Sequence, residues 1–181
     1  MNAEVIDQAT AQAALAKVRD DLLRAADGLS TATDGLRTAI IKARPQGVLT
    51  VDQMAQAIGR DRNYVDSIWS EQGQIARVDG RIRQTRVTVT DDVDPAKVDA
   101  AAAALREVAD DQRRRANEVR TARAERDRVV AMVYQSKLLG PSAIAAEVKV
   151  DRNHVLRIAR RAGVRPVHRV SSKNQYTTTG N

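Results

Sequence analysis

Asp61-Arg62-Asn63-Tyr64-Val65-Asp66-Ser67-Ile68 and Asp151-Arg152-Asn153-His154-Val155-Leu156-Arg157-Ile158 are one phrase written twice, 90 positions apart. In each copy an Asp stands where it caps a helix, and a Val and an Ile three residues apart share one helical face. The match extends outward from this phrase. Sliding the chain by 90 positions lays residues 11–74 on 101–164 without a gap, and 19 of the 64 pairs are identical. They include Leu15/Leu105, Val18/Val108, Asp20-Asp21/Asp110-Asp111, Arg24/Arg114, Thr31-Ala32/Thr121-Ala122, Leu49/Leu139 and Ala55/Ala145. The expected architecture is two tandem repeats, an N-terminal one over 1–90 and a C-terminal one over 91–181.

A unit of about 90 residues buries a limited core, so each repeat is expected to lean on the other or on a second chain. With no Phe, one Trp and three Tyr, that core must be aliphatic. The absence of Cys excludes disulfides, zinc ribbons and thiol catalysis and fits an intracellular protein. The start Met-Asn-Ala-Glu-Val-Ile-Asp does not read as a signal peptide. No apolar run approaches the ~18 residues a membrane span needs. The expected location is therefore cytoplasmic, in association with the nucleoid.

The net charge of +7 is unevenly spread. Residues 1–90 carry a net +1 and residues 91–181 a net +6. The last 43 residues, with 8 Lys/Arg against 2 Asp/Glu, account for that whole excess. A concentrated basic region is the footprint of a polyanion binder, although a solvated basic surface alone also keeps a protein soluble.

Helical periodicity dominates the chain. Leu15, Leu22, Leu29 and Leu36 recur every seven residues, with Val18, Ala25, Ala32 and Ala39 three positions after each. Gly28, Gly35, Ser30, Thr31 and Thr33 predict a break near 28–33, between a helix over 3–27 and a second one ending near Ala43. Arg44-Pro45-Gln46-Gly47 reads as a loop. The second copy begins after an acidic linker, with Asp94 as cap and Pro95 in the first turn. From there to Ser136 nothing breaks a helix, and Val98, Ala102, Leu105, Ala109, Gln112, Ala116 and Val119 line one stripe. Such a helix packs on residues 3–43 of its own chain or on its equal in a homodimer. Between the copies, 74–90 alternates and turns at Asp79-Gly80, which predicts a β-hairpin carrying Arg77, Arg81, Arg83 and Arg86. After the second copy, 165–170 reads as an extended basic arm holding Arg165 and Arg169, followed by a flexible polar tail.

Each repeat also holds a short helix, a tight turn and a second helix. In copy one, Thr50 or Asp52 caps a helix with Met54, Ala55 and Ile58 inward. Gly59 sits in the turn, and Asp61 caps a helix with Val65 and Ile68 inward. In copy two, Ser142 is the expected cap, Ile144, Ala145 and Val148 face inward, and Lys149 replaces Gly59. Asp151 then caps a helix with Val155 and Ile158 inward. Over 49–73 and 139–166 this pattern resembles the helix-turn-helix superfamily of bacterial and phage regulators, recombinase arms and transposase DNA-binding domains. The resemblance implies binding of double-stranded DNA, with the hairpin as a wing. The ending Gly163-Val164-Arg165-Pro166 is similar to helix-turn-helix domains whose trailing arm enters an adjacent groove.

The fold class expected is thus mainly α: two tandem repeats of long helix plus helix-turn-helix, with a β-hairpin wing after the first. Outward residues carry the chemistry. Arg62/Arg152 and Asn63/Asn153 stand at the helix start, where Arg matches guanine and Asn matches adenine for roughly 1–3 kcal/mol of discrimination each. The bland alternative, a capping motif with solvated neighbours, would fix only the Asp. Next come Tyr64/His154, Asp66/Leu156 and Ser67/Arg157, which differ, so the two heads are expected to read different sequences. Arg60, Lys149, Arg160 and Arg161 complete the expected DNA contacts. Residues 49–73 carry a net −2 and 139–165 a net +4, so the second head is expected to bind more strongly. Trp69 is expected to pack under the wing.

His154 and His168 have no ligand companions at metal spacing, and no phosphate loop or nucleophile elbow occurs. No enzyme activity and no cofactor are expected. Three functions remain open: a sequence-specific regulator or repressor; an architectural protein for DNA bridging, partition or packaging initiation; and a coiled-coil scaffold that does not bind DNA.

Overall fold

The computed structural model describes residues 7–71, 76–78, 81–83 and 93–165. The chain is mainly helical. In order it forms α1 (Gln8–Ala43), a 3-10 turn (Arg44–Gln46), α2 (Val51–Ile58), α3 (Arg62–Glu71), β1 (Ala76–Val78), β2 (Arg81–Arg83), α4 (Pro95–Ser136), α5 (Pro141–Val148) and α6 (Arg152–Arg161). The two strands pair antiparallel, with Ala76 opposite Arg83 and Val78 opposite Arg81. A ladder of three residues per strand has little stability alone.

The break expected near 28–33 is absent: α1 is one helix of 36 residues. The residues that suggested a break are absorbed locally. The Thr31 hydroxyl donates to the Asp27 carbonyl at 3.1 Å and the Thr33 hydroxyl to the Leu29 carbonyl at 2.8 Å, so both are satisfied one turn back within the helix, sharing its carbonyls without breaking it. At Gly28 the Arg115 side chain of α4 passes 3.6 Å from where a Cβ would stand. The helix ends where predicted, in Arg44-Pro45-Gln46, closed by Gly47 at φ +66°. Its partner α4 is an unbroken helix of 42 residues, roughly 60 Å long. The Asp94 carboxylate accepts from the Ala96 N–H at 2.9 Å, as the Asp-Pro start predicts. Every residue of the expected α4 stripe is buried or half-buried.

The compact units do not follow the expected boundary at 90/91. One comprises residues 21–122; the other comprises 1–20 together with 123–181. The reason is that neither repeat closes its own core. In the unit of residues 21–122, α2 and α3 bury Met54, Ala55, Ile58, Val65 and Ile68 with Leu36 and Ile40 of α1, and with Leu105 and Ala109 of α4. In the other unit, α5 and α6 bury Ile144, Ala145, Val148, Val155 and Ile158 with Val130 and Val133 of α4, and with Ala11, Leu15 and Val18 of α1. The two cores correspond position by position: Ile40/Val130, Met54/Ile144, Val65/Val155, Ile68/Ile158 and Leu105/Leu15 are each 90 apart. The identity Leu15/Leu105 now has a cause, since each leucine fills the same slot against the other repeat's helix pair. Full burial of one such side chain is worth about 1.5–3 kcal/mol.

Candidate nucleic-acid interface

Each helix pair is held by a turn of three residues. In the first, the Thr50 hydroxyl accepts from the Gln53 N–H at 3.1 Å and the Gln53 side chain accepts from the Thr50 N–H at 2.8 Å, a complete capping box. Thr50 is therefore the cap, and Asp52 stands free of that role in the first turn. Gly59 closes α2 in the left-handed region at φ +66°. The Arg60 N–H then reaches the Ala55 carbonyl at 3.0 Å. Asp61 caps α3 by accepting from the Tyr64 N–H at 2.8 Å.

The second pair solves the same problem differently. Ser142 is not the cap. Gly140 takes that position with Pro141 in the first turn, so the missing proline N–H leaves one fewer donor to satisfy. Lys149 adopts the left-handed turn at φ +52°, and the Val150 N–H reaches the Ala145 carbonyl at 3.0 Å. Asp151 caps α6 through the Asn153 N–H at 2.7 Å. The exposure pattern of 61–70 is repeated residue for residue in 151–160.

That pattern grades the expected outward residues by exposure. Arg62, Asn63 and Ser67, and likewise Arg152, Asn153 and Arg157, are exposed. Tyr64 and His154 are half-buried, and so are Asp66 and Leu156. Asp66 turns inward, where its Oδ1 accepts from Arg44 Nη1 at 3.0 Å. The Arg44 side chain, 5% exposed, lies with its guanidinium carbon 4.8 Å from the centre of the Trp69 ring. Trp69 is buried, as expected, but its neighbour is this guanidinium. Arg44 Nε and Trp69 Nε1 have no hydrogen-bond partner among the described residues. Sequence reasoning read Arg44 as a loop residue. The signal lay in the repeat: Arg44, Asp66 and Trp69 become Tyr134, Leu156 and Ala159, so a cation, an anion and a large ring are exchanged together for an apolar set.

The two faces differ most in charge. On α6, Arg152, Asn153, Arg157, Arg160 and Arg161 are exposed. Among the described residues Arg152 and Arg160 make no ion pair, and neither do Lys149 before the helix or Arg165 after it. His154 is flanked by two guanidinium groups: Arg157 Nη2 is 3.2 Å from Nδ1 and Arg126 Nη2 is 3.4 Å from Nε2. A neutral imidazole has one accepting nitrogen, so it accepts from one of the two at a time. Asp127 is the carboxylate of this cluster, 2.6 Å from Arg126 and 3.9 Å from Arg161.

On α3 the one corresponding cation, Arg62, is paired. Arg62 lies 3.6 Å from Asp52 and 3.6 Å from Asp66. Arg60 stacks over Tyr64 at 5.4 Å. The Ser67 hydroxyl donates back to the Tyr64 carbonyl at 2.8 Å. Glu71 is held by Arg37 at 3.2 Å.

Arg77, Arg81 and Arg83 fall on the strand pair at the level of the backbone; Arg86 and Arg169 lie outside the described residues. So do the expected arm beyond Arg165 and the tail. Among the described residues no group of three or more His, Cys, Asp or Glu is placed to hold a metal. No described helix is long and apolar enough to cross a membrane. No known protein family, no curated protein and no solved structure matches the chain.

Proposed function

We propose that this chain binds double-stranded DNA, chiefly through α6. The observation that carries the reading is the exposed face of that helix, where Arg152 and Asn153 follow the Asp151 cap and Arg157 and Arg160 continue toward its end. A helix of about 10–12 Å diameter fits the major groove, about 12 Å wide. Residues at its N-terminal turn then meet base edges, with Arg152 suited to guanine O6/N7 and Asn153 to adenine N6/N7. Lys149, Arg160, Arg161 and Arg165 are suited to phosphates, and these contacts position the helix without reading sequence.

In this proposal α3 belongs to the first and weaker head, whose candidate contacts are Arg60, Arg62, Asn63, Tyr64 and Ser67. The strand pair serves as its wing, bringing Arg77, Arg81, Arg83 and Arg86, while Arg169 extends the contact of α6. The biological role that follows is a regulator or repressor associated with the nucleoid. An architectural protein uses the same phosphate contacts without base readout.

Selection of the purified chain against a random duplex pool at physiological salt tests the reading. Enrichment of a motif supports it. Arg152→Ala with Asn153→Ala should then weaken specific binding by about 10-fold or more and non-specific binding far less. Equal loss on both DNAs points to the architectural role, and no duplex binding refutes the proposal.

A further inference from the structure

Arg62 occupies in the first head the place that Arg152 holds in the second, but its surroundings are opposite. Its Nη1 lies 3.6 Å from Asp52 Oδ2, and its Nε lies 3.6 Å from Asp66 Oδ2. Ninety positions on, these carboxylates are Ser142 and Leu156, so Arg152 meets neither. The same substitution of charge runs along the helix, where Ser67, Ser70 and Glu71 become Arg157, Arg160 and Arg161.

The geometry points to a DNA contact held shut: Asp52 and Asp66 occupy Arg62 and keep the first head silent while the second binds. These two carboxylates are the specificity-determining residues that decide which head engages a duplex. The inference rests on the DNA-binding function proposed above. A cation that reaches DNA releases the counterions condensed on it, and that release drives binding. Carboxylates fixed beside Arg62 compete with the duplex for it. They forgo that gain and stand as like charges beside the DNA. Asp66 is the more rigid of the two, because Arg44 holds its other oxygen at 3.0 Å and its side chain is only 19% exposed. The buried Arg44–Trp69 stack thereby anchors the lock from inside the core. Asp52, with 72% side-chain exposure, closes it from the solvent side.

The test uses the full chain and a capture assay, in which one duplex is immobilised and a second, labelled duplex is recruited by the bound protein. Two variants open the lock. Asp52→Ser changes an exposed side chain only. The set Asp52→Ser, Arg44→Tyr, Asp66→Leu and Trp69→Ala gives the first head the residues that the second already uses. Circular dichroism and thermal unfolding establish that each variant is folded. The expected result is capture of the second duplex raised about threefold by Asp52→Ser and about tenfold by the full set. The slope of log affinity against log salt should steepen, because an engaged first head adds its own phosphate contacts, Arg60 among them, to those of the second. Unchanged capture and slope in the folded Asp52→Ser variant overturn the inference, as does a native chain that already captures the second duplex equally well. Failure of the native chain and both variants to bind any duplex overturns the proposed function, and the inference with it.

Discussion

Arg37, two turns before the end of α1, bridges Glu71 at the end of α3 across 3.2 Å, and 90 residues further on Asp127 faces Arg161 across 3.9 Å. The two bridges join equivalent positions with their charges exchanged. The exchange moves a positive charge from the long helix to the exposed face of α6 while keeping an opposite charge beside it. The first bridge is exposed on both sides, and such pairs contribute about 0–1 kcal/mol. Arg37→Asp combined with Glu71→Arg should therefore leave urea unfolding within about 0.5 kcal/mol of the native chain. Glu71→Arg alone, which sets two guanidinium groups together, should lose about 0.5–1 kcal/mol. A coupling above about 2 kcal/mol in the double-mutant cycle would show a stronger bond than this geometry supports.

The cluster beneath α3 behaves differently because it is buried. Removing one partner of a buried ion pair strands the other, at a cost of about 3–5 kcal/mol. Asp66→Ala, which leaves the Arg44 guanidinium without its carboxylate, should destabilise by that order. Replacing the whole set, Arg44→Tyr with Asp66→Leu and Trp69→Ala, should cost less than the single change, because tyrosine, leucine and alanine already fill this site in the second unit. Chemical denaturation of both variants decides the matter. The reverse ranking would mean that the ion pair is worth more than its desolvation.

Both helix pairs and the register of their inward residues were legible in the sequence, because a capping Asp followed by Val and Ile at helical spacing leaves little freedom. The long stripe of α4 was legible for the same reason. What the sequence obscured depends on neighbours distant in the chain. Thr31 and Thr33 argue against a helix locally, yet their hydroxyls return to backbone carbonyls within it. Asp66 reads as an outward residue beside Ser67, and its half-buried position becomes intelligible only with the Arg44 guanidinium that meets it from a distant part of the chain. The exchange of Leu15 and Leu105 between cores was written into the identities themselves, but an identity does not say which core it serves.

Two lysines occupy backbone positions where the first repeat has glycine. Gly47 and Gly59 lie at φ +66°, and their counterparts Lys137 and Lys149 lie at φ +61° and +52°. A side chain in this region costs on the order of 1 kcal/mol or more. Lys149→Gly should therefore raise stability by about 1 kcal/mol and, under the proposed function, lower DNA affinity through the lost charge. Thermal unfolding and a binding titration at two salt concentrations measure both. A variant no more stable than the native chain would show that the left-handed turn is unstrained. The converse change, Gly59→Ala, should destabilise because it places a side chain at φ +66°, while the Arg113 guanidinium 2.8 Å from the new Cβ can swing aside.

Two carboxylates set an acid limit. The Thr10 N–H that donates to Asp7 at 2.7 Å holds that carboxyl below its ordinary value of 3.8. The Arg128 guanidinium holds Glu125 below 4.5. A lowered folded value means the contribution is present above the unfolded value and is lost as pH falls through the folded one. Between pH 5 and 7 these groups should leave the unfolding midpoint unchanged, and below about pH 4 the midpoint should fall. Asp7→Asn keeps a capping side chain but removes its titration, as Glu125→Gln does for the second site. The acid limb should flatten in the double variant; an identical limb would place the acid sensitivity elsewhere.

The exchanged cores carry the last prediction. A chain of residues 1–92 keeps α1, α2 and α3 but lacks Leu105, Ala109 and the half-buried Ala101 and Val108 that cover the first helix pair. It cannot close this core alone. It does retain Ala11, Leu15 and Val18, the residues 90 positions earlier than Ala101, Leu105 and Val108, which have no helix pair of their own to cover in the half-chain. Two half-chains can therefore satisfy each other, each lending the start of its α1 to the other's helix pair. The half-chain should sediment as a dimer, and its melting temperature should rise with concentration, as folding coupled to association requires. Leu15→Ala should abolish that dimer, whereas in the full chain it should cost about 2–5 kcal/mol, as for a buried leucine elsewhere. A half-chain that unfolds cooperatively as a monomer, with a midpoint independent of concentration, would show that α1, α2 and α3 bury their own core without the residues α4 supplies.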